Sequence, residues 1–176
     1  GVPLPTIRFE VFSPREVEVG NRWHQGDLNV AEEHALTSTL ETVVALLAGS
    51  FDIAEDARRV VVACAEGDGH SLPARMVAAH LVSLGWRAIF LGAGQPAADL
   101  GAFLRQDPPE ALVLSCAIAT ALPGARACIR VAHQAGVPVL AGGPAFGPDG
   151  SRAYALGADA WTADPSWWYV LVPLPV

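Results

Sequence analysis

The chain has 176 residues, is 52% hydrophobic and 16% charged, and carries a net charge of −7. That is enough for one domain, or one domain with a small cap, around a sizeable core. All 11 basic residues are arginines, scattered except for adjacent Arg58 and Arg59, which argues against a nucleic-acid-binding face on this chain. No apolar run reaches the ~18 residues of a membrane span. The first residues, GVPLPTIRFE, lack the charged n-region and cleavage pattern of a signal peptide, and they lack an initiator Met, as a fragment or a processed chain would. Cys64, Cys116 and Cys128 show no CxxC spacing. Cys64 and Cys116 lie in apolar, strand-like runs and are expected as small core residues, which suits a reducing, cytoplasmic setting better than a disulfide framework.

Residues 1–12 are apolar with two prolines and no clear period. Ser13-Pro14 is a good helix start, an N-cap followed by Pro at N1. The helix is expected to run to about Gln25 and stop at Gly26. A second helix is predicted from about Asn29 to Leu47, because Leu36, Leu40, Val43, Val44 and Leu47 recur at helical spacing and Gly49 follows. Two such helices cannot bury themselves alone.

From Arg58 the pattern becomes an alternation of strand and helix. Strands are predicted at RVVVACA (59–65), AIFLG (88–92), ALVLSCA (111–117), VPVLAGG (137–143) and ADAWTA (158–163). Helices are predicted from Pro73 to Leu84, over PAADLGAFLRQ, from Pro123 to Ala135, and weakly over 148–156. Continuous Val/Leu/Ala strands between helices predict a parallel sheet covered on both faces. Ligands in such sheets bind beyond the C-terminal strand ends.

Three features meet at that edge: Asp68 and His70 in the loop EGDGHS, Ser115 at the end of the third strand, and Gly142-Gly143 at the end of the fourth. Taken singly they have plain roles, with His70 as a helix cap, Ser115 as a partner for backbone groups and the glycines as a turn. Together they suggest a ligand site. A carboxylate two residues from a histidine can hold one ring nitrogen and leave the other a better metal ligand. One histidine is too few for a structural zinc site, but it suffices for a tetrapyrrole-like cofactor that brings its own metal and equatorial ligands. Paired glycines allow close backbone approach to a bulky tail. No G-x-G-x-x-G follows the first strand, which weighs against a plain nucleotide-binding domain.

This spacing resembles the cobalamin-binding Rossmann-like domains, whose pattern is D-x-H-x-x-G, about forty residues, S-x-L, then G-G. Here it reads Asp68-x-His70-x-x-Pro73, 41 residues, Ser115-x-Ala117, 24 residues, then Gly142-Gly143. Pro73 and Ala117 depart from the pattern. The resemblance covers about residues 58–163 and implies a Rossmann-like (flavodoxin-like) fold with a five-stranded parallel sheet. It implies His70 as the lower axial ligand of cobalt, with Ser115, Gly142 and Gly143 lining the slot for the cofactor's nucleotide tail.

In these proteins a helical module caps the upper face of the corrin ring, and residues 1–50 are expected to form part of one. The stretch RWHQGDLNVAEEH holds Trp23, His24, Glu33 and His34. Its W-x9-E-H spacing resembles the cap of the light-sensing, adenosylcobalamin-dependent CarH-type (MerR family) regulators. That resemblance implies adenosylcobalamin, with methylcobalamin the alternative. Trp23 would pack on the adenosyl group, Glu33 would accept its hydrogen bonds, His34 would shape the upper pocket, and His24 would ligate cobalt after light cleaves the Co–C bond. It further implies a homo-oligomer or a separate output partner, DNA contact only through a helix-turn-helix domain that this chain lacks, and no enzymatic activity. The rival reading is a corrinoid protein carrying methyl groups in a methyltransferase system. The plain alternatives place Trp23 in a bundle core, His24 at a solvated helix end and Glu32 and Glu33 at a favourable helix N-terminus. His80, His133, Trp86 and Trp161 are expected to be structural. Trp167 and Trp168, in a tail over 164–176, pack a last helix or mark an interface.

Overall fold

A computed structural model of the chain describes residues 29–163. The predicted helix before Gly26, Trp23 with His24, and Trp167 with Trp168 lie outside the described residues. The first described element is helix α1 (Val30–Ala48), opened by a capping box in which Asn29 and Glu32 satisfy each other's backbone N–H groups. Glu32 therefore takes the helix-start role that composition allowed for both glutamates.

The sheet consists of β1 (Arg59–Cys64), β2 (Arg87–Phe90), β3 (Ala111–Ser115), β4 (Val139–Gly142) and β5 (Ala160–Thr162). All pairings are parallel, in the order β2-β1-β3-β4-β5. Helices α2 (Ser71–Ser83), α3 (Ala97–Gln106), α4 (Leu122–Gln134) and α5 (Ser151–Ala155) connect the strands. Every predicted strand and helix of residues 58–163 is present, the strands one to three residues shorter at their ends. The helix expected from Pro73 starts two residues earlier, at Ser71. Pro73 thus sits at the third helical position, where its missing N–H would have had no intrahelical acceptor.

Alternation within each strand divides the core. Val61, Ala63, Leu112, Leu114, Val139 and Ala141 face α3 and α4, burying Leu100, Leu104, Ala125 and Ile129. Val60, Val62, Cys64, Val113 and Leu140 face α2 through Ala74, Val77, Ala78 and Leu81. The opposite side of α2 carries Leu72, Met76 and Ala79, and these pack on Val44, Leu40, Leu47 and Ala48 of α1. Because α2 is apolar on both sides, it is an inner layer, and α1 lies outside it rather than on the sheet. Gly101 brings α3 close to Val131 of α4, where a methyl group would crowd the valine side chain.

The two structural tryptophans behave as expected. The Arg58 guanidinium stacks 4.4 Å from the Trp86 ring centroid, and Trp161 lies against Gly150, leaving no room there for a Cβ. His133 pairs with Asp159 at 2.8 Å, and the same carboxylate accepts the Val139 N–H at 2.7 Å. That cluster ties α4 to the start of β4, at the edge of the sheet opposite the predicted site.

Candidate cofactor site

Strand order reverses between β1 and β3. The loop after β1 leads to α2 on one face, and the loop after β3 leads to α4 on the other, so a crevice opens between them at the C-terminal edge. Both loops are held there by backbone bonds. The Ala65 N–H donates to the Ser115 carbonyl at 2.8 Å, and the Asp68 N–H to the Ala65 carbonyl at 2.9 Å. Gly94, after β2, donates to the Asp68 carbonyl at 3.0 Å.

Asp68 is the centre of this arrangement. Its side chain is fully buried, whereas that of His70 is 57% exposed. Oδ1 accepts the His70 backbone N–H at 3.0 Å and meets His70 Nδ1 at 2.7 Å. Oδ2 accepts the backbone N–H of Ala117 from the far side of the crevice. A buried carboxylate with three donors is satisfied. With Nδ1–H committed to the carboxylate, a neutral His70 ring carries its lone pair on Nε2. His70 occupies the N-cap position of α2 but makes no side-chain capping bond. The capping role open to it in the sequence is therefore not the one it takes.

Ser115 ends β3, in register with Cys64 of β1 and Gly142 of β4. Gly143 follows with φ +112°, and a Cβ there would overlap the Cys116 carbonyl oxygen. The close approach at Gly143 is thus between two backbones of the protein itself, reinforced by the Cys116 N–H to Gly142 carbonyl bond at 2.9 Å. Cys64 and Cys116 are fully buried. Burial first, and then the Asp68 charge, pushes each thiol up to about 12. Both stay protonated at neutral pH and do not compete as thiolate ligands.

Three contributors escaped the sequence reading. Gly124, in the first turn of α4, lies so close to Glu66 that a Cβ would overlap its carbonyl oxygen; a glycine in a helix was the available signal. Ala117 contributes its backbone N–H, which no side-chain pattern reveals. Glu41 of α1 accepts a hydrogen bond from the hydroxyl of Ser71, the first residue of α2.

That last contact orients α1. Leu40, Val44, Leu47 and Ala48 pack along α2, and the ten residues Val30–Thr39, about 15 Å of helix, form an overhang on the N-terminal side of the Glu41–Ser71 contact. Glu33 lies on this overhang and accepts the Thr37 hydroxyl at 2.7 Å, pointing along the stripe that continues to Glu41. His34 is on the neighbouring arc, its side chain 74% exposed and 3.5 Å from Glu33.

The donor set discriminates between kinds of metal group. Among the described residues no three His, Cys, Asp or Glu side chains gather around a common point, so they build no all-protein metal site. One exposed imidazole backed by a buried carboxylate fits a metal that arrives with its own equatorial ligands. Residues 58–165 match the B12 binding domain family. The chain belongs to that family. Asp68, His70, Ser115, Gly142 and Gly143 fall inside the matched span, whereas Glu33 and His34 precede it.

Over 169 residues, 93% of its length, the chain is 27% identical to the HTH-type transcriptional repressor CarH of Myxococcus xanthus. It spans 56% of that relative's length. The monomethylamine corrinoid protein of Methanosarcina barkeri shares the fold, with a TM-score of 0.73, 19% identity and coverage of 94% of this chain and 81% of that one. A cobalamin-binding protein of Desulfitobacterium hafniense DCB-2 also shares it, with a TM-score of 0.58, 20% identity and coverage of 84% of this chain and 71% of that one. No helix among the described residues is long and apolar enough to cross a membrane.

Proposed function

We propose that this B12-binding domain is the light-sensing module of a transcriptional regulator and is not itself a catalyst. The observation that carries the reading is the Asp68–His70 pair with its exposed imidazole, together with Glu33 and His34 on the N-terminal half of α1, ahead of its Glu41–Ser71 contact with α2. In this reading residues 1–50 are the cap, 58–163 the cofactor domain and 164–176 a tail. His70 would hold the cobalt of the cofactor, with Asp68 orienting its ring. Ser115, Gly142 and Gly143 line the slot for the nucleotide tail. Trp23 and Glu33 would contact the group on the cobalt, His34 would shape its pocket, and His24 would be available to ligate the metal once that group is lost. Adenosylcobalamin, when bound, would supply a light-sensitive cobalt–carbon bond. The sequence similarity to a repressor supports a regulatory output through self-assembly or a separate partner, with DNA contacted only through a helix-turn-helix domain. Three free, buried thiols suit a cytoplasmic protein.

A corrinoid protein shares the fold, and a corrinoid methyl carrier is the rival reading, so the test must separate the two. Adenosyl- or methylcobalamin is added in the dark, and visible spectra and molecular size are recorded before and after green light. A photoreceptor changes both, with a stable product bearing two histidine ligands. A carrier passes its methyl group to an acceptor in the dark and needs no histidine above the metal.

A further inference from the structure

Helix α2 lacks a cap of its own at the point where one is most needed. His70 stands at its N-cap, but the imidazole is held by Asp68 and gives no hydrogen bond to the first turn. The first-turn N–H groups and the positive end of the helix dipole lie immediately beside the candidate metal ligand. α2 has no acidic residue of its own in the first turn. Negative charge arrives there from another element. Glu41, 30 residues earlier, accepts the Ser71 hydroxyl hydrogen bond. At the base of the same loop the Cys64 thiol donates to the His70 carbonyl at 3.5 Å. Glu41 is also the place where α1 leaves its packing on α2 and the overhang begins.

We propose that Glu41 is a positioning residue: by accepting the Ser71 hydroxyl it ties α1 to the first residue of α2, next in sequence to His70, and thereby couples the placement of α1 to the orientation of His70. This rests on His70 being the lower ligand. Leu40, Val44, Leu47 and Ala48 hold α1 on α2, and the Glu41–Ser71 hydrogen bond is the polar contact made at the residue next to His70. A change at the cap would reach the lower ligand, and the reverse, through that contact.

The full chain, labelled with 15N-histidine, is loaded with cob(II)alamin, and the electron paramagnetic resonance splitting reports the fraction with a histidine nitrogen on cobalt, a doublet distinct from the triplet of the cofactor's own base nitrogen. Glu41→Ala and Ser71→Ala should each lower the equilibrium constant for nitrogen ligation by about 10-fold, as loss of a supporting partner does at other metal sites. The double variant should be no worse than either single one, since both remove the same bond. Glu41→Gln, which keeps the acceptor oxygen, should recover most of the parent's ligation. Denaturant unfolding of the apo chains separates a folding defect from a ligation defect, because Glu41→Gln and Glu41→Ala should lie close together in stability and apart in ligation. Parent-like ligation in Glu41→Ala, or additive losses in the double variant, overturns the proposal while leaving His70 as ligand. A parent that binds cobalamin with no histidine-nitrogen doublet overturns the ligand assignment and this coupling together.

Discussion

Asp68 accepts the backbone N–H of Ala117, 49 residues further along the chain, while its other oxygen holds both nitrogens of His70 that face it. One buried carboxylate therefore clamps the two loops of the strand-order reversal and sets the tautomer of the exposed imidazole. Sheet topology and ligand chemistry meet in that side chain.

Replacing His70 removes the side chain assigned to the metal but leaves the clamp to Ala117. His70→Ala should fold like the parent and lose cobalamin affinity more than any change at Asp68. Titration followed by visible absorption checks this, and a variant with unchanged affinity and spectrum would end the assignment.

Asp68→Asn replaces an oxygen that accepts hydrogen bonds with an amide that donates, facing either His70 or Ala117 N–H groups. Cobalamin affinity should fall about 10–100-fold, and apo stability should fall because a buried donor then lacks an acceptor. Equilibrium binding and denaturant unfolding measure the two effects. An unaltered affinity would reduce Asp68 to a loop residue.

Gly124 and Gly143 test the backbone frame. A methyl group at Gly124 meets the Glu66 carbonyl, and one at Gly143 meets the Cys116 carbonyl at a φ that other residues avoid. Each alanine variant should lose roughly 1–3 kcal/mol of apo stability. Gly124→Ala should also weaken cobalamin binding by pushing the Glu66–His70 loop away from α4. Midpoints of urea unfolding decide the first point and ligand titration the second.

Cys116 and Cys128 give a pH dependence. Burial raises both thiols, Cys116 from 9.0 to about 12. A folded-state pKa above the unfolded value means a contribution that is complete below about pH 9 and lost as pH rises toward about 12. Stability of the apo chain should therefore decline above about pH 9, and less steeply in the Cys116→Ala/Cys128→Ala variant. Equal slopes for parent and variant would show that the thiols do not differ between folded and unfolded states.

Trp23 and His24 carry the light-dependent prediction. Trp23→Ala should weaken adenosylcobalamin binding or dark assembly through loss of aromatic contact. His24→Ala should bind in the dark like the parent and fail to form the stable two-histidine product after illumination. Spectra taken before and after green light check both. The same photoproduct from His24→Ala and the parent would defeat the photoreceptor mechanism while leaving cobalamin binding in place.

The order of strands and helices over residues 58–163 was legible in the sequence because buried parallel strands are continuous apolar runs and the helices between them end at glycines (Gly85, Gly136, Gly157) or, for α3, at Asp107-Pro108. The Asp68–His70 pair was legible because its two members lie in one loop, where spacing alone brings them together. Sequence by itself could not reveal that Ala117 supplies a donor, since the useful atom is a backbone N–H brought near by the reversal of strand order. Nor could it separate Glu41 from the other acids of α1. Only packing of α1 outside α2, through Val44, Leu72, Met76 and Ala79, brings that carboxylate to Ser71. Local periodicity determines which elements form and which face each one buries. Contacts between residues tens of positions apart depend on how the layers stack, and that is decided by the shapes of the buried faces once the chain has folded.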